Sequence, residues 1–362
     1  DTSKLAATHL GKKRPDLMRI AEGQLWFDPG EPEVQAQTLN VVVDVLSRYD
    51  IDGVHMDDYF YPYPVGSIPV FPDDASYARY LAAGGAAMAR DDWRRQNVNT
   101  FIQRLYGEVH RVKPSVKVGI SPFGIWRPGS PAGITGLDAY AAIFADSKKW
   151  LENGWVDYFA PQLYWSNSST GQNFTALLDW WILVNTQKRH VWPGLGAYRV
   201  ADGTSSAFTA SEITTQLAVV RARAGAAAGG ASGALLYNAT SVRLNKGGLA
   251  DALASSSYTS MVVVPALPWL DATAPSAPAL AVTVQSSALR AQWTPAGTEA
   301  ARWWLVQWRT SAAWNSRLVW GGEGSMDLPF AGTLDRADVV AIAALDAAMN
   351  MSSTAVWRAA IQ

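Results

Sequence analysis

The chain has 362 residues, 30 lysines and arginines against 31 aspartates and glutamates, a formal net charge of −1 and no cysteine. With no basic surplus, affinity founded on neutralising nucleic-acid phosphates is excluded; with no cysteine, so are thiol catalysis, disulfide bridges and cysteine-ligated metals. At about 150 residues per domain the length allows two to three domains, and no apolar run reaches the ~18 residues of a transmembrane segment.

The chain opens Asp1-Thr2-Ser3-Lys4, without an initiator methionine or the apolar stretch of a signal peptide, as in a mature or truncated chain. Asp28-Pro29-Gly30-Glu31-Pro32 then opens a helix whose apolar face is Leu39, Val42, Val43 and Leu46. Ile51 to Met56 reads as a short buried strand ending in Asp57-Asp58-Tyr59. A helix from Trp93 to Val112 stops before Pro114, and strand 116–120 ends in Ser121-Pro122-Phe123-Gly124. A helix over 140–153 leads to strand 156–160 and Pro161-Gln162-Leu163-Tyr164-Trp165. A helix over 174–186 leads to strand 191–195 and Tyr198, and a helix over 211–224 to strand 234–237 and Asn238. Five strands alternating with helices predict right-handed β-α units and a parallel sheet, with polar and aromatic residues at the strand ends where β-α loops build sites.

Residues 1–265 form this α/β domain, the proline-rich segment 266–278 reads as a linker, and 279–362 as a β-sandwich. In the last part the period falls to two: Trp304, Val306 and Trp308 share one strand face, and Pro295-Ala296-Gly297 and Gly321-Gly322-Glu323-Gly324 mark turns. Of the 17 tryptophans, seven lie beyond residue 271, where alternation makes most of them core. The other ten include Trp26, Trp126 and Trp165 as candidate planes for sugar rings.

Asp57-Asp58 is the sharpest chemical feature. Two adjacent carboxylates at a buried strand end repel one another and lose solvation, so one should hold its proton at higher pH than usual. A raised and an ordinary carboxyl side by side suit acid/base work near neutral pH. The structural alternative has one aspartate capping the next helix and the other pairing with Arg94 or Arg95. The rings of Tyr59, Phe60, Tyr61 and Tyr63 follow directly, and rings beside carboxylates suit sugars. His9, His55, His110 and His190 show no metal-ligand spacing. The Ala/Gly-rich 225–233 lacks the Gly-Lys-Ser/Thr of a phosphate loop, Asp73-Asp74 and Asp91-Asp92 read as caps or solvated turns, and no metal or cofactor is implied.

Four segments carry a resemblance: 50–62 (DIDGVHMDDYFYP), 92–99 (DWRRQNVN), 119–126 (GISPFGIW) and 157–165 (DYFAPQLYW). In this order they resemble the bacterial glycosyl-hydrolase-like family 10 proteins, over roughly residues 15–270. The resemblance implies a (β/α)8 TIM-type barrel, glycosidase activity on the glycan strands of peptidoglycan, including strands stripped of peptides, and a cell-envelope location, periplasmic or secreted. The segment from about Ala274 resembles a fibronectin type III module with Trp293 at its core position. The family places the acid pair at the end of barrel strand four. Only about 50 residues precede it here, so either the first strands belong to an N-terminal segment outside this sequence, the favoured expectation, or the domain is not a closed barrel.

Adjacent carboxylates do not easily flank a glycosidic bond at the ~5–10 Å separations of ordinary two-carboxylate glycosidases, and the other strand ends offer Ser121, Gln162, Tyr198 and Asn238 instead. Acidic pairs of this kind resemble those of hexosaminidases that use substrate assistance. Asp57 would then orient a 2-acetamido group while Asp58 protonates the leaving oxygen. Asp57 as a covalent nucleophile is the competing assignment. Trp26, Tyr59, Tyr61, Ser121, Trp126, Arg127, Gln162, Tyr164, Trp165, Tyr198 and Asn238 are the candidate substrate-binding residues, Arg127 and Arg199 being placed to meet a lactyl carboxylate. Two other classes stay open: a non-catalytic carbohydrate-binding protein, and a structural envelope protein whose sandwich docks a partner.

Overall fold

The computed structural model describes residues 2–21, 23–64, 71–225, 229–310, 313–330 and 336–359. It divides into two units, Asp1–Ser257 and Tyr258–Gln362. Residues 226–228 of the Ala/Gly-rich stretch lie outside the described residues.

The first unit begins with an antiparallel hairpin, β1 (Met18–Ala21) and β2 (Gln24–Phe27). Parallel strands follow: β3 (Gly53–Met56), β4 (Lys117–Ile120), β5 (Tyr158–Phe159) and β6 (His190–Val191) form one sheet in that order. β7 (Gly194–Leu195) and β8 (Leu235–Leu236) form a second parallel pair, joined to the first sheet by the bridges Gln162–Gly194 and Val191–Ala231. With β6 and β7 as one interrupted strand, these are the five strands expected, neighbours in space in chain order.

The expected eight-stranded closure is absent among the described residues. β3 and β8 stand at the ends of the sheet order, and a hairpin rather than parallel strands precedes β3. The first unit is therefore a mixed α/β arc.

Helices Pro32–Arg48, Arg90–Val112, Phe174–Leu183 and Ala210–Ala222 match their apolar periodicities closely. Leu39 and Leu46 pack with Leu105, Val109 and Val118 between the first two helices and the sheet. Side chains alternate along each strand, so Val54 and Met56 join that layer while His55 stacks on Tyr158 at 5.6 Å on the other side. The single helix expected over 140–153 is broken into Ala139–Ala142 and Ser147–Glu152. Between them Phe144 sits at φ 55°, its buried ring edge-on to Tyr61 at 5.0 Å. Burying that ring takes the backbone out of the helix. No helix among the described residues is long and apolar enough to cross a membrane.

In the second unit two antiparallel sheets share a core. β9 (Ala279–Val284), β10 (Ala288–Thr294) and β13 (Ser325–Pro329) form one; β11 (Trp303–Arg309), β12 (Trp314–Trp320), β14 (Val339–Leu345) and β15 (Ala355–Arg358) form the other. Trp293, Trp304 and Val306 are buried between them, with Trp308 packed against that core. The proline-rich segment is no free tether, because Leu267 is fully buried against Leu345 and Met349.

Candidate active site

The loop leaving β3 is held by its own rings. Phe60 packs edge-on against Trp150 at 4.9 Å, and Tyr61 is 1% exposed between Phe71 and Phe144. These anchors fix the residues between and beside them. Asp58 is 4% exposed, whereas Asp57 is open to solvent. The Tyr63 hydroxyl donates to Asp58 Oδ2. Gln162 Nε2 donates to Asp57 Oδ1 at 2.9 Å and to the Ser121 carbonyl at 3.0 Å, tying the ends of β3, β4 and β5 together. Burial pushes the Asp58 carboxyl above its ordinary range; the neighbouring Asp57 charge adds to this, and the Tyr63 hydrogen bond opposes it.

The structural alternative for the pair fails. Arg94 is taken by Asp73 and Asp91, and Arg95 by Asp92, so neither Asp57 nor Asp58 has a cationic partner among the described residues. Nor is Asp73 a solvated turn residue: it is fully buried and also holds Arg90 at 2.6 Å.

Around the pair stand tyrosines from three other strand ends. Tyr164 stacks on Tyr237 at 5.7 Å and meets Tyr198 edge-on at 5.6 Å; Tyr198 and Tyr237 are themselves 5.7 Å apart. Burial, then the Asp57 charge, raises the Tyr164 hydroxyl, so it stays protonated and able to donate. Tyr59, 65% exposed, meets Tyr63 edge-on at 5.9 Å, and the Asp58 charge raises its hydroxyl too. Tyr59, Ser121, Gln162, Tyr164 and Tyr198 thus gather about the pair, together with Tyr63, noted in sequence only as one ring of the following loop, and Tyr237, which was not among the candidates. Trp26 lines a separate apolar cavity of about 230 Å³ with Met56, Tyr59 and Phe101.

Four expectations need correction. Tyr61 is core, its hydroxyl among the buried charges of Asp28, Asp73 and Arg94. Trp126 is enclosed by Trp180 at 6.0 Å and Tyr140 at 5.7 Å, with its indole N–H on Asp146, so its plane is occupied. Arg127 lies against Tyr140 and pairs with Asp138. Asn238 caps helix Ala239–Arg243, its Oδ1 accepting from Ser241. Trp165 is half-buried against the core, meets Phe123 edge-on at 5.6 Å and walls a cavity of about 480 Å³. Among the described residues the carboxylates close enough to share a cation are Asp271, Glu299 and Asp346, all in the second unit.

The half-shielded acid pair and the collar of tyrosines lie at the C-terminal ends of the parallel strands, where α/β folds build their sites. The chain belongs to the glycosyl hydrolase-like 10 family, whose profile matches residues 2–209. It is 35% identical over 294 residues to glycosyl hydrolase YngK of Bacillus subtilis, covering 77% of this chain and 55% of that protein. To glycosyl hydrolase DigH of Escherichia coli K12 it is 37% identical over 192 residues, covering 52% of this chain and 43% of that one. The chain thus spans about half the length of these relatives. Among solved structures, bee venom hyaluronidase in complex with a hyaluronic acid tetramer aligns over 66% of this chain and 79% of that one, at 12% identity and a TM-score of 0.41.

Proposed function

We propose that this chain is the catalytic part of an O-glycosidase acting on bacterial cell-wall glycan in the envelope, on strands of N-acetylated amino sugars with or without their peptides. The observation that carries the reading is the unequal environment of Asp57 and Asp58. One carboxyl is shielded, and burial raises its pKa, while the other is open and oriented by Gln162. Family membership and relatives named as glycosyl hydrolases support the reaction class.

In the mechanism that fits this asymmetry, the acetamido oxygen of the bound sugar attacks its own anomeric carbon. The glycosidic carbon–oxygen bond breaks as Asp58 delivers its proton to the leaving oxygen. Asp57 accepts the amide N–H and balances the positive charge that develops on the resulting oxazolinium. Water then adds at the anomeric carbon, returning a proton to Asp58 and reopening the acetamide. The tyrosine collar supplies ring faces and hydroxyl donors for the sugars.

The test is release of reducing ends from peptide-free and intact peptidoglycan by the wild-type chain and by Asp58→Asn. The reading expects release by the wild-type chain on at least one of them and a loss of about 100- to 10,000-fold in the variant, the usual range for a general acid. Full activity in Asp58→Asn, or glycan binding without any turnover, would sink it.

A further inference from the structure

Beyond the acid pair, the loops after β5 and β7 enclose the 480 Å³ cavity walled by Trp165. Rings connect it to the pair: Tyr63, bonded to Asp58, lies 6.1 Å from Phe123, which lies 5.6 Å from Trp165. Trp165 therefore stands no farther from Tyr63 than those two steps laid end to end, on the same strand-end face as the catalytic pair.

The cavity is built, not incidental. Arg199 donates from Nη1 to the Tyr164 carbonyl at 2.9 Å and from Nη2 to the Ser206 carbonyl and hydroxyl, with its plane over Phe208. Glu212 Oε1 accepts from the Asn167 amide at 2.9 Å and from Gln216 at 2.8 Å. Asn167 in turn accepts from Asn173 and Thr175. Both loops are thus braced before any ligand arrives, which lowers the ordering cost of binding. Between the braces the lining offers the hydroxyls of Ser166, Ser168 and Thr209 beside the indole plane. One cation and one anion line the cavity, Arg199 and Glu212, and the Nη groups of the cation donate to neutral carbonyl and hydroxyl oxygens. A polyhydroxylated ring finds a stacking plane and hydroxyl partners there.

We infer that this cavity is a distal subsite that binds a sugar ring of the strand, with Trp165 as its platform. The inference rests on the glycan reading of the acid pair and adds where the strand runs beyond the bond being cut.

Two variants test it: Trp165→Ala, which removes the plane, and Ser168→Phe, which fills the cavity from an exposed rim position and leaves the braces intact. Both should raise KM about ten-fold on long peptide-free strands, with kcat little changed. On a disaccharide-length chromogenic substrate Ser168→Phe should stay within about two-fold of wild type. Equal effects of Ser168→Phe on long and short substrates, or no effect of it on either, would overturn the subsite and leave the glycosidase reading standing. If the wild-type chain cuts no glycan, the glycosidase reading fails instead. Calorimetry with an N-acetylglucosamine hexamer then decides the subsite, since binding abolished by Ser168→Phe upholds it and no binding by wild type rejects it.

Discussion

The Tyr63 hydroxyl donates to Asp58 Oδ2, so the shielded carboxyl is held by a residue five positions further along its own loop. This bond stabilises the carboxylate and holds the Asp58 proton less tightly than burial alone would. Tyr63→Phe removes it and should raise the Asp58 pKa further. A general acid works while protonated, so the alkaline limb of the kcat/KM–pH profile should move up by ~1–2 units, given ~1.5–3 kcal/mol for a hydrogen bond to a charged group. A limb that stayed in place, or moved down, would separate Asp58 from the proton transfer.

Asp58 also links activity to stability. Its carboxyl titrates above the ordinary range in the folded chain, so folding binds that proton more tightly than the unfolded chain does. Its contribution to stability is therefore largest at acid pH and falls as pH rises from the ordinary carboxylate value through the raised one. Asp58→Asn keeps the shape and deletes the ionisation. At neutral pH the variant should melt at the same temperature as wild type or higher while its activity collapses. Melting curves at pH 5 and pH 8 check the sign, because the advantage of the variant should grow with pH. A variant less stable at pH 8 than wild type would show that ionised Asp58 is a structural anchor.

Gln162 bridges two strand ends by donating to Asp57 and to the Ser121 carbonyl. Gln162→Ala releases Asp57 from its fixed orientation, and misplacing an orienting group of this kind costs on the order of 100-fold. If Asp57 positions an acetamido group, the loss should appear in kcat for 2-acetamido glycans, and even the wild-type chain should barely turn over matched substrates bearing a 2-hydroxyl. Comparable wild-type turnover of both, with a glycosyl adduct trapped on Asp57, would favour Asp57 as a nucleophile.

How far the site could be read from sequence depends on what each residue's signal encodes. The strand-end position of Asp57-Asp58 was legible because apolar strands and amphipathic helices alternate with clear periods, and β-α topology puts sites at strand ends. Which tyrosine of the following loop faces the acid was not legible. Tyr61 and Tyr63 share one parity, yet Tyr61 is drawn into the core by Phe71 and Phe144 while Tyr63 turns to Asp58. Phe144 was equally hidden, because nothing local in sequence announces a phenylalanine at positive φ; only the long-range burial of its ring imposes it. The polar cavity went unseen since Ser166, Ser168 and Thr209 look like ordinary turn residues until Arg199 and Glu212 brace the two loops together.

Gly119 shows how tightly the sheet behind the site is packed. It sits on β4 in register with His55 and Tyr158, and a Cβ added there would lie 2.0 Å from the Tyr158 ring. The space the missing side chain leaves is filled by that ring, whose hydroxyl meets His55 Nδ1 at 3.0 Å and whose face stacks on Trp192 at 4.6 Å. Burial pushes the Tyr158 hydroxyl up to about 12, so it is a neutral partner for His55, whose own pKa burial lowers. Gly119→Ala must displace the ring, lose the His55 contact and strain the β3–β4–β5 ladder. Overpacking of this kind costs about 1–3 kcal/mol, and denaturant unfolding should read it as a lower midpoint at unchanged slope. The strand ends that carry Asp57, Ser121 and Gln162 belong to the same ladder, so activity should fall with stability. The double variant Gly119→Ala/Tyr158→Ala, which empties the contested space, should recover part of the loss caused by the clash. No recovery would mean that the strain lies in the backbone and not in the ring.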